Sequence, residues 1–240
     1  MTPPYFSLNQ SHLQLLSTCP PQFQRRYLEQ LGDLMAPAQQ AKTEWGKTFH
    51  HLMQQWTLGL PVDTMLRQSP DPAAADFGVA VQTVVNHVPA LQLPSSQRQA
   101  EHQRTLSLDS FLLTVVYDLL VILPDRGEIL DWKTYPRPPQ HNRLIDHWQT
   151  KLYLYVLAET SHYEPEQLSM TYWFVQSTPG LKQLTIPYNQ ADHQRNHQEL
   201  TQLLGQFQHW LTDWQQTQLA FPHHQHCQSC PYRSQLLDSV

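Results

Sequence analysis

Glu128-Ile129-Leu130-Asp131-Trp132-Lys133 is the stretch whose reading decides the fold. An apolar run ends in Asp-x-Lys, and residues two apart on a strand share a face. Asp131 and Lys133 therefore point the same way and Trp132 points to the opposite side, as packing. A carboxylate and an ammonium at the rim of a core strand are costly unless they pair or hold a metal or a phosphate. Upstream, Asp118 interrupts Leu112-Leu113-Thr114-Val115-Val116-Tyr117 and Leu119-Leu120-Val121-Ile122, where apolar neighbours argue for a strand and leave the carboxylate little water. Two carboxylates and a lysine on adjacent strands can build a metal-dependent phosphodiesterase.

Working outward, turn residues divide the surrounding segment into a meander. Thr105 to Leu108 is a strand, Asp109-Ser110 a turn, Phe111 to Leu123 a strand, Pro124-Asp125-Arg126-Gly127 a turn, and Glu128 to Lys133 a strand. Two more strands are expected at Leu168–Val175 and Leu181–Ile186. Helical spacing appears on both sides of this sheet. Ser7-Leu8-Asn9-Gln10 resembles a capping box opening two short helices with a turn at Cys19-Pro20-Pro21. Thr43 to Leu58 is a helix carrying Trp45, Phe49, Leu52, Met53 and Trp56, ended by Gly59 and Pro61. Residues 61–75 read as a proline-rich loop, Phe77–Val88 and His147–Ala158 as helices, and Ala191–Leu219 as a long Gln-rich helix without a sustained heptad. The expected fold is α/β, with a mixed central sheet flanked by helices.

The 240 residues suit one domain spanning 1–240. Charged residues make up only 15% and the net charge is -5. This argues against broad electrostatic capture of nucleic acid, so any such contact must be concentrated in a local basic groove. Arg25, Arg26, Lys42, Lys47, Arg137, Arg143 and Lys151 are the candidates. No stretch approaches the roughly 18 to 20 apolar residues of a membrane span. The start lacks the pattern of a signal peptide, which points to the cytoplasm. Three cysteines are too few for a secreted disulfide scaffold.

Gly46 and His50 lie one turn apart in the helix before the sheet, and Gln149 and Tyr153 one turn apart in the helix after it. A glycine at the first position lets its helix approach the sheet edge and press His50 toward it. With Asp118 and Asp131-Trp132-Lys133 between them, the order Gly-x-x-x-His, Asp, Asp-x-Lys, Gln-x-x-x-Tyr resembles the RecB-like branch of the PD-(D/E)XK nuclease superfamily, whose members have a restriction-endonuclease-like core. One departure is Tyr117, where relatives often carry glycine before the first aspartate.

The resemblance implies a divalent-metal-dependent DNA nuclease, and more narrowly an exonuclease of repair, recombination or defence, with DNA as partner and a helicase or repair subunit as a further one. It implies that His50, Asp118, Asp131 and the backbone carbonyl of Trp132 bind Mg²⁺ or Mn²⁺. Oxygen ligands suit both ions, and an imidazole tilts the choice toward Mn²⁺. By the same resemblance Lys133 steers or activates the attacking water, Gln149 and Tyr153 align Lys133 or the scissile phosphate, and Glu101 stands where relatives often carry a glutamate, as a support of the metal ligands or a ligand of a second ion. Lys47, Arg137 and Arg143 are expected to meet DNA. By contrast His51 reads as a surface histidine and Tyr155 as a core aromatic.

Cys227-Gln228-Ser229-Cys230, with Cys19 near the other end, resembles the iron–sulfur staple of some relatives, so the segments 1–35 and 220–240 are expected to pack together. A cubane cluster takes four thiolates and this chain has three. His223, His224 or His226 could complete a zinc site instead, or the cysteines could pack as small apolar groups. Two rival functions stay open: an inactive nucleic-acid-binding or scaffold subunit with the same fold, and a metal-binding protein using the histidine-rich tail.

Overall fold

The computed structural model describes residues 6–31, 37–135, 139–177 and 180–223. Its centre is a six-stranded mixed sheet. The strands are β1 (Phe6–Leu8), β2 (Arg98–Leu108), β3 (Phe111–Ile122), β4 (Gly127–Lys133), β5 (Leu168–Phe174) and β6 (Lys182–Pro187). The expected meander is present, since β2 pairs β3 and β3 pairs β4, both antiparallel. β4 then pairs β5 in parallel through the crossover helix, and β6 closes the order antiparallel to β5.

β3 is shared unevenly. β2 covers one of its edges along nearly the whole strand. The other edge is divided: β1 takes Phe111 to Leu113 in parallel, and β4 takes Leu119 to Ile122. Between them the ladder on that edge is open, and Asp118 stands at the point where β4 parts from β3.

Helices cover both faces. One core is built from α1 (Gln10–Thr18), α7 (Trp148–Glu159) and α8 (Gln190–Thr217), contributing Leu13 and Leu16, Leu152 to Leu157, and Leu200, Leu203, Leu204 and Phe207. The other is built from α3 (Pro37–Thr57), α4 (Val62–Gln68) and α5 (Ala74–His87), contributing Phe49 and Met53, Val62, and Phe77, Val81 and Val84. Each fully buried side chain of this size stabilises the fold by about 1.5–3 kcal/mol relative to exposure. α2 (Pro20–Phe23) and α6 (His141–Ile145) add Phe23 and Leu144 to the first core. Among the described residues no helix is long and apolar enough to cross a membrane.

Three local readings are corrected. The first helix is capped by Asn9 and not Ser7: the Asn9 side chain accepts from the Ser11 and His12 amides while Ser7 belongs to β1. Residues 61–75 are not all loop, because Val62–Gln68 form α4, where Asp63 sits in the positive first turn, and Val62 and Leu66 pack on one face. The strand expected at Thr105 begins earlier, at Arg98.

The alternation of β3 breaks once. Phe111, Leu113, Val115 and Tyr117 face the core under α7, whereas Leu119 and Val121, of the same parity, face the core under α3 and α5. A regular strand cannot do this. The switch falls at Asp118, opposite Glu101 in the β2–β3 register; Glu101 has φ 48 and is absent from the ladder that resumes on both sides of it. A left-handed backbone at a residue other than glycine is costly and concentrates at functional sites.

Candidate active site

The site grows from the place where β3 and β4 separate. Asp118 projects into that gap, and its Oδ2 accepts a 2.7 Å hydrogen bond from the Trp132 amide, taking the role of the missing ladder partner. Lys133, the next residue along, turns its carbonyl to β5, where it accepts from the Val175 amide at 2.8 Å. Successive residues of a strand face alternate edges, so the Trp132 carbonyl looks the same way as its amide, into the gap. The Trp132 ring is buried in the core under α3 and α5.

α3 supplies His50. A Cβ on Gly46 would lie 2.9 Å from Thr134 Oγ1, so glycine is what lets this helix close on the end of β4. His50 Nδ1 then lies 3.1 Å from Asp118 Oδ1. His50, Glu101 and Asp118 each offer a ligand atom within 4.8 Å of the others. They open on a cleft of about 550 Å³, also lined by Lys42, Thr43, Lys47, Val116 and Thr134.

Asp131 and Lys133 stand together on the face toward α7. Asp131 is 2% exposed, and its Oδ2 lies 2.7 Å from Lys133 Nζ. Gln149 closes the triangle: its Nε2 donates to Asp131 Oδ1 and its Oε1 accepts from Lys133 Nζ at 2.7 Å. Beneath them the Lys133 ammonium lies 5.2 Å from the centre of the Tyr172 ring, whose hydroxyl shares a 2.7 Å hydrogen bond with Thr150. Tyr153 is buried one turn beyond Gln149, and its backbone carbonyl accepts from the Tyr117 hydroxyl at 3.1 Å. Tyr117, the departure from glycine, is thus accommodated as a core aromatic whose polar end is satisfied.

The electrostatics are those of a crowded acidic site with little water. Burial raises Asp131 to about 6, with Lys133 opposing and Asp118 adding to the shift. Burial and then Asp118 also raise Glu101. Burial alone would lower His50, but its hydrogen bond to Asp118 and the charges of Asp118 and Asp131 outweigh that and raise it to about 9. Asp131 Oδ2, despite the nearby ammonium, is buried without a well-aligned hydrogen bond. An imidazole, several carboxylates and an under-satisfied buried oxygen are a donor set that fits a divalent cation.

The remaining expected residues fall as follows. Lys47 is exposed at the cleft and pairs with Glu44 at 2.8 Å. Arg143 is exposed on α6. Lys151 leaves the set of groove cations, because its ammonium is largely buried 2.6 Å from Glu199. His51 is exposed and bonds Gln55, while the buried Tyr155 bonds His197. Cys19 is buried; Arg137, Cys227 and Cys230 lie outside the described residues. Near the chain's two ends, the Phe221 amide donates to Gln24 Oε1 at 2.6 Å. Glu101 is the residue the metal-ligand set expected from sequence left out. The family resemblance marked its position, but its place in register with Asp118 is visible only once the strands are paired.

Comparison with known proteins agrees with this geometry. No curated protein matches the chain. A solved structure of a candidate exonuclease from Eubacterium rectale aligns with a TM-score of 0.52 at 10% identity, covering 84% of this chain and 80% of that one. The protein SSO0001 aligns with a TM-score of 0.37 at 10% identity, covering 82% of this chain and 76% of that one. At such identity the first likeness speaks for the fold, a mixed sheet flanked by helices of the restriction-endonuclease-like kind. The model of the PD-(D/E)XK nuclease superfamily matches residues 7–235, from β1 past the end of α8, and so includes every strand of the split sheet; the chain belongs to that superfamily.

Proposed function

We propose that this protein is a divalent-metal-dependent deoxyribonuclease of the RecB-like branch, acting as an exonuclease in DNA repair, recombination or defence in the cytoplasm. The observation that carries the reading is the buried triangle of Asp131, Lys133 and Gln149 beside the His50–Glu101–Asp118 cluster. One group of residues gathers oxygen and imidazole donors, and the other fixes an ammonium next to them.

In this reading His50, Asp118, Asp131 and the Trp132 carbonyl hold Mg²⁺ or Mn²⁺, with Glu101 as a further carboxylate. A bound divalent ion supplies Lewis-acid charge to phosphoryl oxygens and lowers the pKa of water. Lys133 orients the attacking water and offers positive charge to the phosphate as negative charge builds on it. Gln149 holds Lys133 and Asp131 in register, and Tyr153 backs Gln149 from the core. Asp118 also ties β3 to β4 through the Trp132 amide, so the carboxylate orientation is set by the backbone as well as by His50. Lys47, Arg137 and Arg143 are proposed to contact the DNA backbone.

The test is incubation of purified protein with end-labelled single- and double-stranded DNA in Mg²⁺, Mn²⁺ or EDTA. Release of nucleotides in either metal and none in EDTA supports the reading. A metal-loaded protein that leaves both DNAs intact refutes it in favour of a binding or scaffold role.

A further inference from the structure

Asp131 and Lys133 lie between two unlike surfaces. On the α3 side is the cleft holding His50, Glu101 and Asp118. On the other is Tyr135, two residues beyond Lys133 and 37% exposed, the one aromatic among the exposed large hydrophobic residues described. The remainder of that set is aliphatic, and Val116, 36% exposed, lines the cleft beside Asp118. Apolar surface therefore flanks the site on both sides.

Tyr135 does not stand unsupported. Its ring lies 5.7 Å from that of Phe174 at 59°, and Phe174 is itself 1% exposed at the end of β5, paired with Lys133. Packed against a buried ring on one side, the tyrosine keeps part of its surface open to solvent. Its hydroxyl, at the far end of the ring, is within electrostatic reach of Lys133 and Asp131, so the ring lies beside the reacting centre.

Charge around the site is scarce. The cleft is lined by two exposed cations, Lys42 and Lys47, Lys151 is held by Glu199, and the whole chain carries a net charge of -5. Binding of duplex DNA draws mainly on phosphate contacts, each needing an available cation. Stacking of a base on an aromatic side chain contributes about 1–3 kcal/mol without any charge, and it requires a base freed from its pair.

We infer that Tyr135 is a specificity-determining residue of this site, a platform on which an unpaired nucleobase next to the scissile phosphate stacks. The inference rests on the nuclease reading above for what the phosphate is doing there. The site then favours single strands and frayed ends over closed duplex, because only an unpaired base can turn its face to the ring while its phosphate reaches Lys133.

The experiment uses the full chain with a single-stranded oligodeoxynucleotide carrying 2-aminopurine, and the matching duplex, in Ca²⁺ for binding and Mn²⁺ for cleavage. Stacking on Tyr135 is expected to quench the fluorophore. Tyr135→Phe should keep the quenching and the affinity. Tyr135→Ala and Tyr135→Leu should lose the quenching and weaken single-strand binding about 5- to 150-fold, the equivalent of that stacking energy, with Mn²⁺ affinity unchanged. Tyr135→Leu keeps an apolar contact for Phe174, so a packing role alone would spare it. Wild-type affinity and quenching in Tyr135→Ala overturn the inference, as does a loss in Tyr135→Phe equal to that in Tyr135→Ala, or a fall in Mn²⁺ affinity that accounts for the binding defect. Tyr135-dependent quenching in a protein that cuts neither DNA would uphold the platform and refute the nuclease reading.

Discussion

His50 connects a sequence pattern to a chemical state. Its hydrogen bond with Asp118 and the nearby carboxylate charges raise it to about 9 against burial, so in the metal-free protein it is an imidazolium at neutral pH. A metal ligand must be neutral imidazole, so binding has to release this proton. Mn²⁺ affinity is therefore expected to rise with pH from about 6.5 to about 9, approaching one log unit per pH unit, and isothermal titration at several pH values measures it. The same shift acts oppositely on the metal-free fold. A raised pKa stabilises fully below the unfolded value of 6.5 and the contribution is lost as pH climbs through about 9. The melting temperature without metal should fall over that window, and loading with Mn²⁺ should reduce the fall. Gly46 offers a steric test at the same scale. Gly46→Ala would set a Cβ 2.9 Å from Thr134 Oγ1 and push α3, with His50, away from the gap. Overpacking of this kind costs about 1–3 kcal/mol. Mn²⁺ binding should weaken in Gly46→Ala and recover when Thr134→Ala is added, because the second change removes the atom in the way.

Among the elements, α7 carries the residue on which the lysine depends. Gln149 bonds both Asp131 and Lys133, and its amide is itself capped by His147 Nδ1 at 3.1 Å. Gln149→Ala should lower kcat by about 10²-fold, the scale of a misplaced catalytic group, while Mn²⁺ affinity changes far less; single-turnover cleavage beside a metal titration separates the two. Much at this level was legible in the sequence. Apolar runs located β3, β4 and β5, and the i, i+4 pairs put Gly46 with His50 on α3 and Gln149 with Tyr153 on α7. Less legible was α4, because Pro61 at its start and the prolines beyond it suggested loop while only Val62 and Leu66 marked the buried face. The change of face at Asp118 was not legible at all. It depends on the left-handed backbone of Glu101, a conformation that a glutamate does not advertise and that strand pairing imposes. That is why Glu101 entered through family resemblance and its contact with His50 and Asp118 only through the structure.

At the scale of the whole molecule, the site exists because one sheet is incomplete along one edge. β1 and β4 divide the edge of β3, and the opening between them receives Asp118 and the Trp132 backbone. Two cores on opposite faces hold that opening in place, α7 and α8 from one side, α3 and α5 from the other. The chain's ends contribute to the first of them: Phe221 is 2% exposed, with its ring 6.2 Å from Phe207 and 5.8 Å from Trp210, and its amide on Gln24. Phe221→Ala should cost about 3–5 kcal/mol, read as a lower urea midpoint, and should leave the cleavage rate of the folded fraction unchanged. Asp131 and Lys133 stand in the reverse position, expendable for folding if their purpose is chemistry. The most direct measurement compares nucleotide release from labelled DNA in Mn²⁺ by wild type, Asp131→Ala and Lys133→Ala, each verified as folded by circular dichroism. The wild type is expected to cut while both variants, folded, do not; an equal rate in either variant would contradict the account.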